Sequence, residues 1–279
     1  MATTTIRQAP VLPTPSGRAG FGGTLRSELT KIGSVRSTIW TLLVLLAVSV
    51  GIGAVASRVS ASGWLTTPPA DRTPLDATQL SLVGLLVLGQ LVIVVPGALV
   101  LSAEYSTGMI RTSLIAMPRR IVIYVAKAVA FGAVALVVSL ATAFTAFFLG
   151  QALLASTHQS ATLAGPGVLR AVIGSALYLT LCGLFAFAVG AILRNTAATI
   201  TTMIGVLFII PVLVNLLPWA NDLARWLPAS AARAISATVW KAGPQNSHLF
   251  SPWGQFGVFA VYTAVLLVVG AVLFRKRDA

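Results

Sequence analysis

Six long apolar stretches, divided by short polar ones, set the rhythm of this chain: residues 38–57, 78–101, 121–149, 168–193, 197–217 and 254–274. Each reaches the roughly 20 residues that an α-helix needs to cross the hydrocarbon core of a bilayer. Lipid offers no water to the backbone, so every N–H and C=O in such a stretch must be satisfied within it, and the stretch folds as a helix. The pattern therefore predicts an all-α integral membrane protein with six transmembrane helices, formed as one unit over residues 21–279. Residues 1–20, with Pro10, Pro13, Pro15 and several Thr, are expected to be a disordered tail.

Three shorter patterns lie between the spans. Phe21, Leu25, Leu29, Ile32, Val35 and Ile39 recur at three- and four-residue spacing, with Arg26, Lys31 and Arg36 beside them. This predicts an amphipathic helix lying in the membrane interface. Two roles fit it equally: a plain cationic anchor, or an anchor that also touches a cytoplasmic partner. In the connection 102–120, Glu104 closes the second span and Thr107-Gly108 break the helical run. Ile110, Leu114 and Met117 then share one face with Arg111 off it, and Pro118-Arg119-Arg120 end the segment. That is a short cytoplasmic helix, either an interfacial turn or one shaped to enter a groove on another protein. In the connection 218–253, Trp219, Leu223 and Trp226 share helical spacing, and Pro228 separates them from an Ala-rich run of high helix propensity. These read as two short helices that dip into the outer leaflet and return, which requires protein cover over their backbone.

Composition agrees with a membrane protein. Hydrophobic residues make up 57% and charged ones 9%, against roughly 25% charged in soluble domains. The net charge of +13 does not point to nucleic acid, because the Lys and Arg residues sit in the flanks of spans, where they meet anionic lipid. Placing both termini in the cytoplasm puts thirteen of these cations inside and six outside, which sets the orientation. In this arrangement Lys127 belongs to the inner group between the second and third spans. Five of the six tryptophans then fall in or beside the outer connections. Cys182, the single cysteine, lies in the fourth span and serves as a packing residue, so no internal disulfide can form. No cleavable signal peptide is expected, since nothing apolar follows Met1 closely. High Ala, Val, Leu and Arg content fits a GC-rich bacterial genome, and the expected location is the bacterial cell membrane with both termini cytoplasmic.

Catalytic chemistry is missing from the pattern. There is no phosphate-binding G-x-x-x-x-G-K-[ST] loop. His158 and His248 stand alone, with no ligand-spaced partner for a metal. None of the six acidic residues falls in a span centre, which argues against a proton-coupled secondary transporter. The polar residues inside spans are mild. Most serve as interhelical hydrogen-bond partners, and Gln90 and Asn215 are the candidates for lining a substrate path.

The order of these parts resembles the membrane subunit of the type-2 ABC exporter (permease) family. Residues 104–114, Glu-Tyr-Ser-Thr-Gly-Met-Ile-Arg-Thr-Ser-Leu, followed by Pro118-Arg119-Arg120, look like that family's signature between its second and third spans. The architectural likeness covers nearly all of the chain after residue 20. The resemblance implies a half-channel that pairs with a second permease copy, identical or different, and with two cytoplasmic ABC ATPase subunits that bind the ATP and Mg. Glu104, Gly108, Ile110, Arg111, Leu114 and Met117 would form the ATPase-coupling segment, and Trp219, Leu223, Trp226 and Pro228 the outer re-entrant lid. The cargo would be an amphipathic or hydrophobic drug, lipid or peptide, moved outward. Family members often carry Arg or Lys just after the Glu, whereas Tyr105, Ser106 and Thr107 are neutral here, so no local salt-bridge partner for Glu104 is predicted. A different class, a non-transporting immunity, sensor or assembly subunit of the membrane, is the competing expectation.

Overall fold

The computed structural model describes residues 20–106, 119–238 and 250–276. Among them every regular element is helical. Helix α1 (Phe21–Ser34) turns at Val35 into α2 (Arg36–Thr66). The second span is built from α3 (Ala77–Gly84), one π-helical turn (Leu85–Gly89) and α4 (Gln90–Ser106). Next come α5 (Arg120–Leu154) and α6 (Val168–Leu193). The fifth span repeats the design of the second, with α7 (Thr196–Ile204), a π-turn (Gly205–Ile209) and α8 (Ile210–Leu216). A 3-10 segment (Pro218–Trp226), α9 (Pro228–Ser236) and α10 (Pro252–Lys276) complete the chain. Residues 1–19 of the expected tail lie outside the described residues.

Six helices are long and apolar enough to span a membrane, matching the six stretches of the hydrophobic pattern. The first runs further than its apolar core, through Arg58 to Thr66. The fourth is the hub: 72% of its apolar window is buried within the protein, against 17% for the first and sixth. With no hydrophobic drive between helices in lipid, small residues must let backbones approach. They do so here. A Cβ on Gly53 would lie 2.2 Å from the Ser81 carbonyl oxygen, and one on Gly84 would lie 1.9 Å from that of Ser49, so α2 and α3 meet backbone to backbone. Gly97 of α4 meets the Gly183 carbonyl of α6 in the same way. At the far end, α9 packs on α6 and α10, with Ile235 seated where a Cβ on Gly174 would be.

Candidate functional site: an ionic cluster at one end of the spans

Lys127 stands two turns inside α5 among Tyr124, Ala130 and Phe131 and is 1% exposed. Sequence reasoning placed it with the inner-face cations of the connection, and the structure corrects this: it is a buried ammonium within a spanning helix. Burying an ammonium is tolerable only with compensating charge and hydrogen bonds. Both glutamates of the chain supply them. Lys127 Nζ donates to Glu28 Oε2 at 2.8 Å and to Glu104 Oε1 at 2.7 Å. Lys31 Nζ also donates to Glu104 Oε1. Two carboxylates and two ammoniums thus form one balanced cluster, fed by α1, α4 and α5.

This cluster explains how α1 sits. Its half-buried face is Thr24, Leu25, Glu28, Lys31 and Ile32, while Phe21 and Leu29 are exposed. The apolar stripe read from the sequence is therefore split. Leu25 and Ile32 turn inward together with one charged edge, and Leu29 faces outward. No residue of α1 is fully buried; Ile32 packs against the core from a half-buried position, and the ion pairs of Glu28 and Lys31 add to that hold. Glu104 does have salt-bridge partners. They come from 73 and 23 residues away in sequence rather than from the neutral residues that follow it. Glu28 went unremarked in the sequence. The signal that would have found the cluster is charge scarcity: a lone Lys in an apolar run needs a carboxylate, and of the six acidic residues only Glu28, Glu104 and Asp278 fall on the inner side in the expected orientation.

Of the other predicted coupling residues, Gly108, Ile110, Arg111, Leu114 and Met117 lie outside the described residues. The two described ends of that connection are nonetheless tied together, since Glu104 and Lys127 bracket it. Nearby, the Ser102 hydroxyl pairs with that of Thr196 at 2.6 Å, and the Arg194 guanidinium lies 4.5 Å from the centroid of the Tyr105 ring.

Gln90 and Asn215, singled out separately, are brought to one cavity of about 270 Å³, shared with Gln79, Val83 and Arg233. Gln90 accepts a 2.7 Å hydrogen bond from the Tyr178 hydroxyl and follows directly on the π-turn of the second span. Asn215 lies in α8, which follows the π-turn of the fifth. Such turns often mark functional positions, and neither has a sequence signature.

Pro218–Trp226 is a 3-10 helix, tighter than the α-type spacing read for Trp219, Leu223 and Trp226, and Pro228 opens the next helix at a position that suits its missing N–H. Leu223 and Trp226 are exposed, with Trp226 edge-on to Phe250 at 5.9 Å. The description does not extend to the Trp219 side chain. α9 itself is held firmly. Asp76 Oδ1 caps α3 by accepting from the Gln79 N–H, and its Oδ2 accepts from both the N–H and the hydroxyl of Thr238. Arg170 donates to the carbonyl oxygens of Ala237 and Thr238. Gly167, at φ +76°, brings its backbone so near that a Cβ there would lie 2.3 Å from the Thr238 carbonyl oxygen.

Among the described residues, no group of three or more His, Cys, Asp or Glu is arranged to hold a metal. Neither protein-family models nor curated proteins give a match to this sequence.

Proposed function

We propose that this chain is the transmembrane permease subunit of an ATP-driven exporter, resembling the type-2 ABC family. It works with a second permease copy and with a pair of cytoplasmic ABC ATPase subunits that bind ATP and Mg. Both termini and α1 face the cytoplasm, as the distribution of Lys and Arg supports. The chain does no catalysis of its own.

The observation that carries this reading is the ionic cluster. It fastens α1 to the two span ends that bracket residues 107–118, so a push on that connection is delivered to α1, α4 and α5 together. Ile110, Leu114 and Met117 form the apolar face that enters the ATPase groove. Closure of the ATPase pair moves both coupling segments and, through them, the spans. Cargo passes beside Gln90 and Asn215, where two π-turned spans give backbone that can rearrange. It leaves under the segment formed by Trp219, Leu223, Trp226 and Pro228, which acts as an outer lid beside the seated helix α9. The mostly apolar lining fits an amphipathic or hydrophobic molecule.

The test is to purify the tagged protein from its native membranes. A co-purifying subunit with a phosphate-binding loop and ATPase activity is expected. Leu114→Asp should insert and pair normally yet lose that subunit, because a carboxylate in an apolar groove costs several kcal/mol. Full recovery of the ATPase and of ATP-dependent transport with Leu114→Asp would end the coupling role.

A further inference from the structure

A groove of about 260 Å³ opens beside the ionic cluster, between α1, α2, α4 and α5. Its walls are mainly apolar, Leu99, Val100 and Phe131 among them, with Ser37, Thr38 and Thr41 contributed by α2, and the four members of the ionic cluster also line it. Glu104 is 4% exposed. Its Oε1 takes both lysines, but its Oε2 is buried with no hydrogen-bond partner among the described residues. A buried acceptor left empty is costly, and this one belongs to a side chain that lines an apolar groove.

We propose that this groove is a lipid site for a single-chain amphiphile with a neutral hydroxyl head, such as a medium-chain alcohol or monoacylglycerol drawn from the bilayer. Charge complementarity selects the head. The cluster is already balanced, two carboxylates against two ammoniums. A carboxylate head would meet the bare Glu104 oxygen and be repelled. An ammonium head would add a third cation beside Lys31 and Lys127 and unbalance a desolvated group. An O–H donor supplies the missing hydrogen bond and changes no charge. Size selects the body, since about 260 Å³ falls below the roughly 300–1,000 Å³ of drug-sized sites. That room suits one alkyl chain along Leu99, Val100 and Phe131. Entry is open from the lipid side, because Val35 and Leu99, which line the groove, are exposed. α1 forms one wall without burying any residue of its own, so it can lift to admit the head.

The experiment uses the purified full-length protein alone, in nanodiscs, so its outcome is independent of any ATPase. A decanol bearing a photoreactive group in its chain is the probe, and crosslinks are mapped by mass spectrometry. Saturable labelling at Leu99, Val100 or Phe131 is expected. Unlabelled decanol and monodecanoylglycerol should compete at least about tenfold better than decylamine or decanoate, where tenfold corresponds to about 1.4 kcal/mol. Leu99→Trp, which fills the groove and leaves every member of the ionic cluster in place, should cut labelling about tenfold. Glu104→Gln, which turns an acceptor oxygen into a donor and leaves the cluster with one positive charge in excess, should move the preference from the alcohol to decanoate. Labelling spread evenly over the lipid-facing spans, equal competition by all three head types, preference for the amine, or no effect of Leu99→Trp would each overturn the proposal.

Discussion

The two helices that do not span, α1 and α9, are attached to the same bundle by opposite means. Of the fourteen residues of α1 none is buried, whereas seven of the nine in α9 are. α1 is moored by Glu28 and Lys31 reaching to Lys127 and Glu104. α9 is wedged between α6 and α10, with Ile235 against Gly174, and its end is fastened by Asp76 and Arg170. Packing is short-ranged and steric, so the body of α9 is released by changing shapes and only its end by removing Asp76 or Arg170. Ionic mooring of an unburied helix is released by changing a single charge. α1 is thus built to shift as charges are rearranged, and α9 is built to stay seated.

The largest effect should follow from removing the mooring post. Lys127→Met removes the ammonium that bridges Glu28 and Glu104 and leaves Lys31, on Glu104, as the one cation against two carboxylates; breaking a buried ion pair in this way costs roughly 3–5 kcal/mol. Thermal unfolding in nanodiscs should show a drop of many degrees. Adding Glu28→Gln and Glu104→Gln to Lys127→Met should return most of it. No recovery in that triple variant would mean that Lys127 acts through its shape.

At the opposite end, Gly167→Ala should come next. The left-handed backbone costs a side chain roughly 1–2 kcal/mol, and the new methyl group also collides with the Thr238 carbonyl. Limited proteolysis should cut near residue 238 faster in this variant, with α1 unaffected. Asp76→Ala loses a helix cap of about 1 kcal/mol together with both bonds to Thr238, and the same cleavage should rise to a lesser degree. Lys31→Ala should do least. Its side chain is 36% exposed, and ion pairs that open to solvent are worth about 0–1 kcal/mol.

The spans were plainly legible because lipid imposes one rule on length and polarity, and each apolar stretch falls on its helix within a few residues at most ends. The continuation of α2 past Arg58 was hidden, since outside the bilayer core the apolar count no longer reports on helix length. The amphipathic character of α1 was legible, but its rotation was not. Periodicity ranks Leu29 with Leu25 and Ile32, while the need of Lys127 for carboxylates turns Glu28 inward and leaves Leu29 outside. Partners such as Asp76 and Thr238, 162 residues apart, carry no local signal at all. Gln90 and Asn215 were each conspicuous as polar residues in apolar runs, yet only the fold brings them to one cavity.

Hydrogen exchange on Glu28→Gln tests the ionic mooring of α1 most directly. This change cuts one tie and keeps Lys127 paired with Glu104. Losing a hydrogen bond between charged groups removes about 1.5–3 kcal/mol, so amides across Phe21–Ser34 should exchange at least about tenfold faster than in the unaltered protein. Those of Pro228–Ser236 should keep their rate. Unchanged protection of α1, or equal loosening of α1 and α9, would contradict the account.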